Sequence, residues 1–139
     1  MDKIVEFVLK DPAMTKVLHI ENDPDCLELS RIVLQRQGYE YLSATSVEFG
    51  LLQAENERPA MIILSAAYLS HSGEELAAQL QSNPATKHTP LVFFCSRDEF
   101  RQIKEKIKIQ NGAPVHHIEK PTTYQDFVSG IKAAFEQMT

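Results

Sequence analysis

Two stretches of this chain, Met61-Ile62-Ile63-Leu64 and Leu91-Val92-Phe93-Phe94-Cys95, contain no polar alternation. A strand with one wet face alternates apolar and polar residues, and neither stretch does. Both are short and lie behind prolines, Pro59 and Pro90. Runs of this kind fit strands buried on both faces, as in a parallel sheet covered by helices on both sides. Parallel strands need crossover connections, so the rest of the chain must supply helices between them.

It does so in order. Lys16–Ile20 is the first strand. The polar turn Glu21-Asn22-Asp23-Pro24-Asp25 opens a helix to about Gln37, with Cys26, Leu29, Ile32 and Val33 inward and Gly38 past its end. Tyr39–Ala44 is the second strand. Thr45 or Ser46 caps the next helix, which turns Val47, Leu51 and Ala54 inward. After the strand Met61–Leu64, a third helix runs from Gly73 through Leu76 and Leu80 to Ser82-Asn83-Pro84. After Leu91–Cys95, Ser96 caps a fourth helix with Phe100, Ile103 and Ile107 inward and Arg101, Lys104, Lys106 and Lys108 outward; Gly112 stops it. Val115–Ile118 is the fifth strand. A last helix, Tyr124 to about Gln137, buries Phe127, Ile131, Ala134 and Phe135. Residues 1–15 are an extension in which Ile4, Phe7 and Val8 of Met1–Lys10 recur at helical spacing. It is expected to pack on the domain, 16–139; a partner or dimer contact is the alternative.

Five strand–helix alternations give an α/β fold with right-handed crossovers. The expected form is a flavodoxin-like doubly wound parallel sheet of five strands, order 2-1-3-4-5, with helices on both faces. Ligands of such sheets sit past the carboxyl ends of the strands, at the switch point, here between strands one and three. That brings Glu21, Asn22 and Asp23 to one cleft with Ser65. Cys95, Ser96 and Lys120 border it.

Composition limits what this cleft can serve. A net charge of −5 argues against a general nucleic-acid surface. No apolar run approaches the ~20 residues of a membrane span. No charged–apolar–small signal peptide opens the chain, and the two cysteines form no disulfide framework. These features imply a cytoplasmic setting with reduced thiols. Cys26 and Cys95 are expected as small hydrophobes rather than a redox pair. His116 and His117 point to opposite faces of a strand and do not share a metal ion.

The ordered pieces resemble the receiver domain of two-component response regulators, the CheY-like fold, over about Lys16 to Gln137. An acidic cluster, Glu21-Asn22-Asp23-Pro24-Asp25, follows strand one. Gly73 stands eight residues after Ser65. Asn83-Pro84-Ala85-Thr86-Lys87-His88-Thr89-Pro90 leads into strand four, and Lys120-Pro121 follows strand five. In that family an aspartate after strand three accepts a phosphoryl group, acids after strand one help hold Mg²⁺, and a Thr or Ser after strand four and the lysine contact the phosphoryl oxygens.

Carried over by resemblance, the acceptor falls on Ser65, whose hydroxyl forms no acyl phosphate. The acidic pair falls on Glu21 and Asn22, with Asp23 as a stand-in under a slipped register. The Thr/Ser position falls on Cys95, with Ser96 beside it. The aromatic switch residue falls on His117 and the lysine on Lys120. The proline usual four residues past the acceptor is Leu69. The resemblance therefore implies a pseudo-receiver. It is not an enzyme and has no cofactor, with at most a weak Mg²⁺ site at Glu21 and Asn22. It acts through protein partners, a histidine kinase or an output protein, by way of helix four, strand five and helix five, or as a homodimer. Its output comes from a partner or from a longer protein that contains it. Lys120, without an aspartate to pair with, is expected to pair with Glu21, with Ser65 within reach. Two other readings stay open: an active receiver using other residues, and a flavodoxin-like small-ligand binder.

Overall fold

The computed structural model describes residues 15–65, 73–106, 115–120 and 122–136. Its strands are β1 (Lys16–Ile20), β2 (Glu40–Ala44), β3 (Met61–Ser65), β4 (Leu91–Cys95) and β5 (Val115–Glu119). Its helices are α1 (Pro24–Arg36), α2 (Val47–Glu57), α3 (Gly73–Ser82), α4 (Arg97–Lys106) and α5 (Tyr124–Glu136). All strand pairs are parallel, in the order β2-β1-β3-β4-β5. The doubly wound sheet expected from the sequence is the one observed.

Strand alternation divides the core into two layers. Leu18, Ile20, Leu64, Phe93 and Cys95 face one side, where Ala54 of α2, Leu80 of α3 and Phe100 of α4 pack on them. Val17, Ile63, Phe94 and Ile118 face the other, against Val33 and Leu34 of α1 and Phe127 and Ile131 of α5. Every residue of β3 and β4 is buried, as their unbroken apolar runs require.

The helix ends follow local chemistry. Asp23 caps α1, accepting from the backbone N–H of Asp25 at 2.9 Å, and Pro24 follows at the first helical position. Gly38 has φ 90°, a left-handed conformation that glycine adopts without steric cost. Of the two residues expected to cap α2, Ser46 does so, accepting from Phe49 N–H at 3.2 Å. Ser96 and Glu99 form a reciprocal capping box at the start of α4: Ser96 Oγ accepts from Glu99 N–H, and Glu99 Oε1 accepts from Ser96 N–H, both at 3.2 Å.

Three strand bounds and the inward stripe of α1 differ from the sequence reading. β3 and β5 each extend one residue further, to Ser65 and Glu119, and β2 begins at Glu40 rather than Tyr39. The inward stripe of α1 is rotated: Ser30, Val33 and Leu34 are fully buried, Cys26 and Leu29 only partly, and Ile32 is not in the core. Ser30 is drawn inward because a buried histidine needs it, as shown below. Cys26 and Cys95 are both free and pack in opposite layers of the sheet, so they are not a redox pair. The expectations for Met1–Lys10, Leu69, Ile107, Lys108 and Gly112 lie outside the described residues, as do those for the side chains of Leu76, Ile103 and Lys106.

Candidate functional site

The carboxyl ends of β1, β3 and β5 deliver Glu21, Ser65 and Lys120 to one place. Each is set by the sheet ladder. Glu21 N–H donates to the Ala44 carbonyl at 3.0 Å, and Lys120 N–H to the Cys95 carbonyl at 2.9 Å. Ser65 is the last residue of β3, in register with Phe94 of β4. Alternation turns all three side chains toward the α1/α5 layer.

Lys120 Nζ donates to Glu21 Oε1 at 2.7 Å. The other carboxylate oxygen, Oε2, accepts from the backbone N–H groups of Asn22 at 3.1 Å and Asp23 at 3.4 Å. Glu21 is only 1% exposed, so its charge needs these partners. Burial pushes its carboxyl pKa up, but the Lys120 bond and charge, helped by Ser65 and His19, leave it below its ordinary value. Burial likewise opposes the Lys120 charge, and Glu21 more than compensates, leaving the lysine above its ordinary value. Lys120 Nζ also lies 4.7 Å from the Phe94 ring centroid, a cation–π contact.

Ser65 is 1% exposed, and its Oγ makes no hydrogen bond of good geometry among the described residues, although its dipole still helps to lower Glu21. Asn22 and Asp23 are exposed. Asp23 is committed to the α1 cap; its carboxyl is lowered first by the Asp25 N–H and also receives Cys26 Sγ at 3.5 Å. Cys95 points into the opposite core layer, where burial pushes its thiol up to about 12. Ser96 is held in the α4 capping box. His117 stacks on Phe100, with ring centroids 4.3 Å apart and planes 7° from parallel. Its Nε2 donates to the Cys95 carbonyl at 2.7 Å. The structure thus joins Glu21, Ser65 and Lys120, keeps Asn22 and Asp23 at the rim, and turns Cys95 and His117 to the other face.

One neighbour of the site was not singled out from the sequence. His19 lies under Glu21, fully buried, with Nε2 3.9 Å from Glu21 Oε1 and no hydrogen bond to that nitrogen among the described residues. Burial holds its imidazole at about 4, so it is neutral at pH 7. Its Nδ1 lies 2.7 Å from Ser30 Oγ, which lies 3.0 Å from the Tyr41 hydroxyl. The signal was present in Lys16–Ile20: His19 is the one polar side chain inside an apolar run.

The donor set does not fit a Mg²⁺ ion, which needs several oxygen ligands and usually one or two free carboxylates. Both oxygens of Glu21 are engaged within the chain. Ser65 brings no charge, and no cluster of three metal-ligating side chains occurs among the described residues. Beside the ion pair, an open pocket of about 370 Å³ is lined by Cys26, Leu29, Phe94, Ser96, Glu99 and Lys120, with Asp25 and Thr122.

No family model matches the chain. It is 25% identical over 118 residues to the alkaline phosphatase synthesis transcriptional regulatory protein PhoP of Bacillus subtilis, covering 85% of this chain and 47% of that protein. The chain spans about half the length of the curated relatives it matches. Among solved structures it is similar to the chemotaxis response regulator CheY4 of Vibrio cholerae, with TM-score 0.71 and 20% identity over 87% of this chain and 98% of that one. It is also similar to the receiver domain of a sensor histidine kinase from Pseudomonas aeruginosa, described with a magnesium ion coordinated in its active-site cleft. That likeness has TM-score 0.72 and 14% identity over 88% of this chain and 98% of that one. Likeness at such identities is one of fold, and the regulator alignment adds a relationship in sequence. The chain therefore has the CheY-like fold, and over most of its length its sequence is similar to those of response regulators.

Proposed function

We propose that this chain is a pseudo-receiver: a two-component signalling module that takes no phosphoryl group on an aspartate and works through protein contacts. The observation that carries the reading is the Glu21–Lys120 pair beside a neutral Ser65. Phosphoryl transfer to a carboxylate needs an ionised acceptor and a cation to neutralise the charge that develops. Here the acceptor position holds a hydroxyl with no base hydrogen-bonded to it among the described residues, and the buried carboxylate is already neutralised by the lysine. Ser65 is therefore a poor nucleophile. The receiver unit is residues 16–139, and it needs no Mg²⁺.

The partner is a histidine kinase or an output protein, or a second copy of this chain, and α4–β5–α5 is the contact face. Among the described residues no helix is long and apolar enough to cross a membrane. Together with the composition, this supports a cytoplasmic setting.

The test is a titration of wild type and Ser65→Asp with Mg²⁺, with and without beryllofluoride, followed by amide shifts at Glu21, Ser65 and Lys120. Wild type is expected to show no saturable shift, while Ser65→Asp responds to both. Saturable binding of both ions by wild type overturns the reading. A second reading, a small-ligand binder, is favoured by the open pocket of about 370 Å³ beside Lys120, whose size falls in the ligand-pocket range. A coloured or ligand-bearing protein on purification would support it.

A further inference from the structure

Helix α2 is apolar on two sides. Gly50 and Ala54 are buried against the sheet, with Val47 and Leu51 partly so. Phe49 and Leu52, one turn apart, face the other way and are 51% and 57% exposed. They are the large apolar side chains left open among the described residues. A surface helix normally keeps a single apolar stripe, so a second stripe calls for a cover.

The flanking charges say what kind of cover. Glu48, Leu52 and Glu55 are spaced i, i+4, i+7, which places an apolar residue between two acids along one helix flank. Both acids are exposed, and neither has an ion-pair partner among the described residues. Residues 1–14 contain the complement at the same spacing: Lys3, Phe7 and Lys10. In sequence, Ile4 follows Lys3 and Val8 follows Phe7, as Phe49 follows Glu48.

The attachment point also agrees. Lys16, at the start of β1, is bonded to Glu57 in the last turn of α2, Nζ to Oε2 at 2.8 Å. The chain therefore enters the domain at the foot of this helix. Leu52 and Phe49 stand about 7 and 12 Å up its axis. Four residues, 11–14, reach at most about 14 Å when extended.

We propose that the outward face of α2 is the docking surface for the chain's own segment 1–14, with Phe7 seated at Leu52 and Phe49 between the ion pairs Lys3/Lys10 and Glu48/Glu55. The contact is within one chain.

The test is limited trypsin digestion of the full chain, reading cleavage after Lys10 by intact mass, in wild type, Phe49→Asp/Leu52→Asp and Phe7→Asp. Wild type is expected to be cut at least ten-fold more slowly than either variant, at a rate independent of protein concentration. The far-UV circular dichroism of all three proteins should match, which shows that the domain itself stays folded. If Phe49→Asp/Leu52→Asp fails to fold, Phe7→Asp carries the test alone. Equal cleavage rates in wild type and Phe7→Asp overturn the proposal. So does protection that appears only as concentration rises, with a dimer in sedimentation, since a second copy would then be the cover.

Discussion

Glu21 and Lys120 hold each other's charge in the interior, and that dependence can be measured. Glu21 has 2% of its side chain exposed and Lys120 26%. Removing one partner of such a pair strands the other charge in a poorly solvated place, while removing both is far milder. Lys120→Met is expected to cost about 3 kcal/mol at pH 7, and Glu21→Gln/Lys120→Met about 1 kcal/mol or less, by urea unfolding. The pH dependence provides the check. The depressed Glu21 pKa contributes stability that is present above its ordinary 4.5 and is lost as pH falls through the folded value. The raised Lys120 pKa contributes stability that is present below its ordinary 10.5 and is lost as pH rises through the folded value. The cost of Lys120→Met should therefore shrink as pH drops from 7 through the carboxylate range, because the stranded Glu21 then takes up a proton. A cost that stays flat with pH would mean that the lysine acts through packing on Phe94 rather than through the pair.

At the scale of elements, α2 sits on β1 so closely that a side chain at Gly50 has no room. A Cβ there would lie 2.6 Å from Ile20 Cδ1 and 2.9 Å from Cγ1. Alanine gains about 1 kcal/mol in helix propensity over glycine, whereas overpacking a core costs about 1–3 kcal/mol. Ile20 is fully buried and cannot retreat, so Gly50→Ala is expected to be destabilising by about 1 kcal/mol net. Ile20→Val removes Cδ1 but keeps Cγ1 at 2.9 Å, so in that background Gly50→Ala should cost less than it does in the wild type without becoming free; additive effects would count against the contact. The sequence announced the elements better than it announced such contacts. β3 and β4 were legible because strands buried on both faces leave unbroken apolar runs, and Asp23, Ser46, Gly38 and Ser96 mark helix ends by chemistry that is local. The pairing of Lys120 with Glu21 was legible because an isolated buried charge demands a partner. The His19–Ser30–Tyr41 chain was not, because which face a helical serine takes depends on what the sheet beneath it presents. The orientation of Cys95 into the opposite layer follows from strand alternation, once β4 is known to run through that residue.

At the scale of the whole molecule, the site joins β1, β3 and β5 within one continuous sheet, so binding energy at that site must appear in global unfolding. A ligand that binds only the folded state stabilises it by about 2.7 kcal/mol at one hundred times its Kd. A receiver with a working metal pocket therefore melts higher in millimolar Mg²⁺ than in chelator. This chain should not, since the Glu21 carboxylate is already satisfied by Lys120 and two backbone N–H groups. Its melting temperature is expected to differ by less than about 1 °C between the two conditions at matched ionic strength, given that 1 kcal/mol moves a domain of this size by several degrees. Ser65→Asp changes the electrostatics at one stroke. It sets a second carboxylate beside Glu21 with one ammonium for both, and like charges so placed raise each other's pKa and cost stability. In chelator the variant should melt several degrees below wild type, and Mg²⁺ should restore most of the loss, because the ion supplies the missing positive charge. A wild-type melting temperature that climbs saturably with Mg²⁺ would show that the metal displaces Lys120 from Glu21, and would return phosphoryl chemistry to this cleft. A Ser65→Asp variant that is destabilised but indifferent to Mg²⁺ would show that a carboxylate at position 65 is not enough to hold the ion beside the uncharged Asn22 and the paired Glu21.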